Sequence, residues 1–128
     1  MYLILFVLDD TKCLEDVLQA WEECGVNGIT ILPSTGLAKL RQRKSALREN
    51  LPLMPSLQDI IRHAEQMNRT LFTIVEDDKI VEAIVHATQA VVGDLNEPNT
   101  GVMAIIHLAQ AYGLHRKPQR TISDTNNE

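Results

Sequence analysis

The chain has 128 residues, of which 45% are hydrophobic and 23% are charged, and its formal net charge is −5. This length and balance indicate one globular domain with a core of its own. No apolar run approaches the roughly 20 residues of a membrane helix, so we do not expect an integral membrane protein. The acidic charge also argues against a nucleic-acid binder.

The first predicted strand is YLILFVL at residues 2–8, a continuous apolar run typical of a buried strand. A helix is predicted next, because Asp9, Asp10 and Thr11 are favourable N-caps and apolar residues then recur at helical spacing. Gly25 is a natural stop for this helix. Its apolar positions are Leu14, Val17, Leu18 and Trp21.

The second predicted strand is GITIL at residues 28–32, which PSTG closes. A long insertion follows at about residues 37–67. Its first part, residues 37–50, has a charge of +4, so the remainder of the chain carries −9. Later in the insertion, SLQDIIRHAEQM has a serine cap and apolar spacing that predict a short helix.

The third predicted strand is TLFTIV at residues 70–75. Asp77 and Asp78 then cap a second helix. The turn-rich loop GDLNEPNTG separates this helix from the fourth strand, VMAIIHL, and the chain ends in a polar tail at residues 117–128. The predicted apolar stripe of the second helix is Ile80, Ala83, Ile84, Ala87 and Val91.

The order of these elements predicts an α+β fold, a ferredoxin-like βαββαβ sandwich with a long insertion after the second strand. We expect one domain over residues 1–116, with both helices on one face of an antiparallel sheet. The first strand has no polar side, so the other sheet face needs a cover too. Oligomerisation through the sheet is therefore expected.

Cys13 and Cys24 flank the first predicted helix, which would hold them roughly 16 Å apart. A disulfide requires Cα atoms within about 7 Å, so two free thiols and a cytoplasmic protein are predicted. No pair of the four histidines has metal-site spacing. The chain also lacks a nucleophile elbow, a P-loop and a paired-carboxylate motif. We therefore expect neither a metal nor an enzyme.

Three stretches together resemble the divergent PII-like branch of the PII (nitrogen regulatory protein) superfamily. They are GVNGITILPSTG at residues 25–36, the segment from NRTLFTIV to MAIIHL at residues 68–108, and the closing YGL at residues 112–114. The resemblance covers about residues 1–115. It implies a homotrimer whose sheets pack into a central barrel, with adenine-nucleotide clefts between subunits. It also implies a T-loop after the second strand that contacts target proteins.

The resemblance implies a set of ligand-binding residues. Thr30 and Gly36 fall where the family borders the adenine, and GDLNEPNTG falls where it has its phosphate-binding B-loop. We expect backbone donors from the end of that loop and positive charge from the residues after YGL. The candidate ligand-binding residues are Thr30, Gly36, Asn99, Thr100, Gly101, His115 and Arg116.

The chain departs from the family pattern at its phosphate ligands. Val102 stands where the B-loop has a lysine, and Gly113 and His115 stand where arginines follow the last strand. These lost charges favour a ligand with fewer phosphates than ATP, such as AMP, ADP or a cyclic nucleotide. No cofactor is required. A plain turn remains an alternative for the loop, since Asn, Asp, Pro and Gly form turns for local backbone reasons.

Residues 37–50, the basic segment at the start of the insertion, are expected to contact a partner protein or a transporter, as the T-loop does in the family. This segment has no aromatic residue for stacking, so a nucleic-acid arm is disfavoured. Its candidate partner-binding residues are Lys39, Arg41, Arg43, Lys44 and Arg48. Two other functions stay open: a trimeric adaptor that binds no small molecule, and an ACT-like amino-acid sensor on the same fold.

Overall fold

The structure is a computed structural model that describes residues 1–37, 41 and 67–114. The helices and strands of these residues follow one another in the predicted order. They are β1 (Tyr2–Leu8), α1 (Leu14–Glu23), β2 (Thr30–Ser34), β3 (Asn68–Val75), α2 (Asp78–Val92) and β4 (Gly101–His107). A 3₁₀ turn at Thr11–Cys13 leads into α1. The helix predicted for SLQDIIRHAEQM lies outside the described residues apart from its last position.

The four strands form one sheet in the order β2-β3-β1-β4, and all neighbouring strands are antiparallel. With the two helices this makes a small α+β fold, as predicted, and it is compatible with the ferredoxin-like arrangement. β1 and β3 occupy the centre of the sheet, and β2 and β4 are its edges. The continuous apolar run of β1 fits that central position.

The predicted bounds of β2 were wrong by two residues at each end, because the strand runs from Thr30 through Pro33 to Ser34. Proline is tolerated there because β2 is an edge strand, where one missing N–H need not break the ladder. Gly28 lies outside the strand, and its carbonyl accepts a hydrogen bond from the Thr73 hydroxyl at 2.6 Å. Tertiary pairing with β3 therefore sets the start of β2.

Aspartate caps begin the 3₁₀ turn that leads into α1 and begin α2, whereas Cys13, the N-cap residue of α1 itself, makes no side-chain capping bond. The carboxylate of Asp10 accepts from the Lys12 N–H at 3.0 Å before α1, and that of Asp77 accepts from the Lys79 N–H at 2.9 Å before α2. Such caps satisfy backbone donors that have no partner inside the helix. Gly25 follows α1 with φ +94°, a left-handed conformation that suits glycine at a helix end.

The core lies between one face of the sheet and the two helices. Burial alternates along β1, where Ile4, Phe6 and Leu8 are fully buried, as expected of a strand with one face on a core. The helices add Trp21, whose ring lies 6.3 Å from that of Phe6. The buried hydrophobic residues are Ile4, Phe6, Leu8, Val17, Trp21, Val26, Leu71, Val75, Val81 and Ile84.

A polar pair is buried within this core. The indole N–H of Trp21 donates to the Thr88 hydroxyl at 2.8 Å, and that hydroxyl donates to the Ile84 carbonyl at 2.7 Å. The predicted stripe of α2 missed this position and included Ala83, which is exposed. Thr88 is buried because it supplies the acceptor that a buried indole N–H requires.

We expect Thr88→Val to lower the free energy of unfolding by about 1–3 kcal/mol, the cost of leaving a buried donor unpaired. Urea unfolding followed by Trp21 fluorescence measures this change. Thr30→Val is the matched control, because Thr30 is exposed and should change stability by no more than about 0.5 kcal/mol. Equal stability of Thr88→Val and the wild type would contradict this role of the buried pair.

The second face of the sheet is also apolar. On β1 it presents Leu3, Leu5 and Val7, which the register places beside Ile74 and Phe72 of β3 and beside residues 102–106 of β4. Its side chains remain accessible: Val102 is 67% exposed and Ile106 is 46% exposed. Both helices contribute to the core on the first face, so in the described part of the chain this second face is an uncovered apolar surface.

Candidate ligand site

The described candidate residues fall into two groups on opposite edges of the sheet. Thr30 begins β2 and Gly36 follows its end, whereas Asn99, Thr100 and Gly101 lead into β4. β3 and β1 separate the two edges. Three strand spacings amount to about 14 Å. A single chain therefore does not bring the two groups together.

The register places Gly36 and the loop residues at the same end of the sheet. Ser34 pairs with Asn68 of β3, and the next β3 residue pairs with Leu8, which in turn pairs with Gly101. Thr30 lies further down, opposite Phe72. The remaining candidates His115, Arg116, Lys39, Arg43, Lys44 and Arg48 lie outside the described residues, and Arg41 is exposed.

A cavity of about 720 Å³ opens beside Thr30. It forms where the register leaves a gap, because β2 begins opposite Phe72 while β3 continues to Val75. The connection from α1 to β2 forms its other wall. The cavity is lined by residues 25–30, residues 72–76, Ile80, Gly113 and Leu114.

The cavity combines apolar walls with polar backbone. Val26, Ile29 and Phe72 supply apolar surface. Asn27 and Gly28 lie outside helices and strands, so their peptide groups belong to no strand ladder, and the Gly28 carbonyl accepts from the Thr73 hydroxyl. Pockets for planar organic ligands have this mixture of apolar walls and a few polar groups. Of the lining residues, only Thr30 was predicted from the sequence as a ligand contact. The other lining residues could not be predicted, because the register between β2 and β3 determines which residues line the cavity.

The loop between α2 and β4 is held by its own hydrogen bonds. The Leu95 N–H donates to the Gln89 side-chain oxygen at 3.2 Å. The Asn96 N–H donates to the Asp94 carboxylate at 2.9 Å, and the Glu97 N–H donates to the Asp94 carbonyl at 2.9 Å. These backbone donors are therefore already engaged by the protein.

At the end of the loop, in contrast, backbone donors are not engaged by the described part of the protein. Asn99 has φ +65°, the left-handed conformation found in backbone anion nests. Pro98 has no N–H, which removes one donor from such a nest. Within the described residues, no protein acceptor takes the amide N–H of Asn99 or Thr100. These two amides are the donors that an anion would meet.

The charges around the loop are negative. Asp94 and Glu97 are both exposed, and residues 93–114 contain no lysine or arginine. The Thr100 hydroxyl donates to the Glu97 carbonyl at 2.9 Å, so it is also engaged. Two free amides beside two carboxylates suit a ligand of low charge better than a triphosphate.

Both cysteines are free thiols at the two ends of α1. Burial raises the pKa of the Cys13 thiol above its ordinary value of 9.0, and the nearby Asp10 and Asp16 add to the rise. Burial followed by the charge of Glu23 raises the pKa of Cys24 in the same way. Both thiols are therefore protonated at neutral pH, which makes them poor nucleophiles.

We expect iodoacetamide to alkylate both cysteines slowly at pH 7 and increasingly fast through pH 9, because only the thiolate reacts. Mass spectrometry of each cysteine-containing peptide gives the two rates. Protein unfolded in urea is the control, and its thiols should react at the rate of a simple thiol. A rate that levels off at or below pH 8 would show that the pKa values are not raised.

In the described part of the chain, no group of three or more His, Cys, Asp or Glu side chains could hold a metal ion. Nor does any helix there have the length and apolar character to cross a membrane. Compared with known proteins, the chain matches no family model and no curated protein sequence.

Proposed function

We propose that the chain is a PII-like regulatory protein with a ferredoxin-like βαββαβ fold. It binds a small effector, an adenine nucleotide, between neighbouring copies in a homotrimer. The bound effector changes how the insertion at residues 37–67 contacts a partner protein or a transporter. It acts in the cytoplasm and catalyses no reaction.

The division of the candidate residues between two sheet edges carries this proposal. A ligand that contacts both Thr30 and the free amides of Asn99 and Thr100 needs the β2 edge of one copy and the β4 edge of another. Gly36 and the loop lie at the same end of the sheet, and Thr30 lies further along β2. In two copies with the same orientation, a nucleotide would therefore extend along the strands from the cavity beside Thr30 to the loop. The second, uncovered sheet face supports the assembly, since apolar surface of this kind needs a partner.

The cavity beside Thr30 supports the position of the base. Its volume of about 720 Å³ falls within the usual range for a small-molecule site. Leu114 lines this cavity, and His115 and Arg116 follow it directly in the chain. The positive charge that the proposal assigns to these two residues would oppose the negative charge of Asp94 and Glu97. The balance favours AMP, ADP or a cyclic nucleotide over ATP.

The connection between β2 and β3 supports the regulatory part of the proposal. The insertion begins next to Gly36 and returns at Asn68, at the sheet end that holds the loop to β4. A ligand whose phosphate reaches this end would favour one arrangement of the insertion, which is coupling between two sites. Arg41, exposed in the basic segment, belongs to the proposed contact surface.

A thermal-shift screen with AMP, ADP, ATP, cyclic nucleotides and amino acids tests the effector. A ligand at a hundredfold excess over its Kd stabilises the folded state by about 2.7 kcal/mol. We expect AMP, ADP or a cyclic nucleotide to raise the melting temperature more than ATP does. Stabilisation by an amino acid alone would favour the ACT-like sensor. No shift with any compound would favour the alternative of a trimeric adaptor that binds no small molecule. The absence of the B-loop lysine also favours that alternative.

A further inference from the structure

Tyr112 is unusually exposed for an aromatic residue. Its side chain is 88% exposed, the highest value of any large hydrophobic residue in the described part of the chain. The phenol hydroxyl donates to the Gln110 side-chain oxygen at 3.1 Å, an exposed local contact. Tyr2 and Phe6, in contrast, each have a ring partner. The faces of the Tyr112 ring are left to solvent.

The position of Tyr112 in the chain is informative. It directly precedes Gly113 and Leu114, which line the cavity beside Thr30. Consecutive Cα atoms are about 3.8 Å apart, so its backbone is at the cavity rim. Gly113 has φ +89° and open space around it, which turns the chain sharply at this point. Because the ring is not packed, rotation about its side-chain bonds meets little resistance.

We propose that Tyr112 stacks on the base of the effector and so selects ligands that contain a planar heterocycle. This inference rests on the proposed nucleotide function. Phe72 and Ile29 line the cavity, and we infer that a base packed against them would present its other face to the ring. Stacking on an aromatic ring tolerates any base, because every base has a π-face. The tyrosine thus determines affinity for the base and leaves the phosphate contacts unchanged.

Isothermal titration of the full chain with AMP, ADP and ribose 5-phosphate tests this role. We expect Tyr112→Ala to weaken AMP and ADP by about tenfold or more, the loss of one stacking contact, and to leave ribose 5-phosphate unchanged. Tyr112→Phe should bind like the wild type because it keeps the ring. Gln110→Ala is the matched control, since it removes only the partner of the phenol hydroxyl.

The outcomes separate the two proposals. If the wild type binds no nucleotide, the proposed function fails and this inference fails with it. If the wild type binds but Tyr112→Ala binds equally well, only the tyrosine assignment is overturned. If Tyr112→Ala lowers the molar mass measured by light scattering, the ring covers a second copy of the chain, and the assignment is again overturned.

Discussion

Gly101→Ala is expected to lower the free energy of unfolding by about 3 kcal/mol, which combines a left-handed backbone penalty with a steric clash. Gly101 has φ +131° at the start of β4. A Cβ there would meet the Val7 carbonyl oxygen, and it would lie 2.8 Å from Cε2 of Phe6. Backbone on a central strand cannot move aside cheaply. Urea unfolding followed by circular dichroism measures the loss.

Gly36→Ala is the control for this substitution. A Cβ added at Gly36 would have no other atom within 4 Å, and the φ of this residue is outside the left-handed region. Its replacement should leave stability within about 0.5 kcal/mol of the wild type. If Gly101→Ala were as stable as Gly36→Ala, the account of how β4 begins against β1 would be wrong.

If the chain forms the proposed trimer, Val102→Asp is expected to convert it into a monomer of 14.4 kDa. Val102 pairs with Val7 and lies on the uncovered apolar face. At 67% exposure in the single chain, a carboxylate there costs the monomer little. In an assembly it would be buried without a partner, which is strongly unfavourable. Light scattering on a size-exclusion column measures the mass.

Ala83→Asp provides the comparison, because Ala83 is exposed on α2, away from the apolar sheet face. This variant should keep the mass of the wild type, which we expect to be three times that of the chain. If the wild-type protein is monomeric in dilute solution, the proposal of a ligand site shared between two copies is wrong. A trimer that survives Val102→Asp would show that another surface holds it together.

Local patterns predicted much of this fold. The apolar run of β1 and the cap Asp77 are signals contained within a few residues, and the structure confirms them. Asp10 caps the 3₁₀ turn before α1 rather than α1 itself. The start of β2 was wrong because pairing with β3 decides it. Thr88 was missed because its partner, Trp21, lies 67 positions away. A pattern of apolar residues cannot reveal a buried polar pair of that kind.

The candidate site depends less on local sequence patterns than the fold does. The turn composition of the loop fits the left-handed Asn99, but the engaged donors of residues 95–97 depend on Gln89 and Asp94. The cavity arises because β3 extends beyond the residues that pair with β2. The sequence does not reveal where that pairing stops. Tyr112 carried no helical or strand pattern, and its exposure emerged only from the structure.

Mixing two defective variants tests the central claim, that each ligand site is built from two copies. Gly28→Leu fills the cavity from a position with open space around it. Asn99→Asp tolerates the left-handed backbone and places a carboxylate at the two free amides. Each variant alone should lose nucleotide binding. Neither change lies near the other, since they are on opposite edges of the sheet.

The two variants are unfolded, mixed in equal amounts and refolded, and nucleotide binding is then measured by isothermal titration. If a site takes its cavity from one copy and its loop from the next, about a quarter of the sites in the mixture have both halves intact. We therefore predict that binding returns at roughly that stoichiometry with wild-type affinity. No return of binding on mixing would contradict the account, because a site within one chain cannot be restored by another.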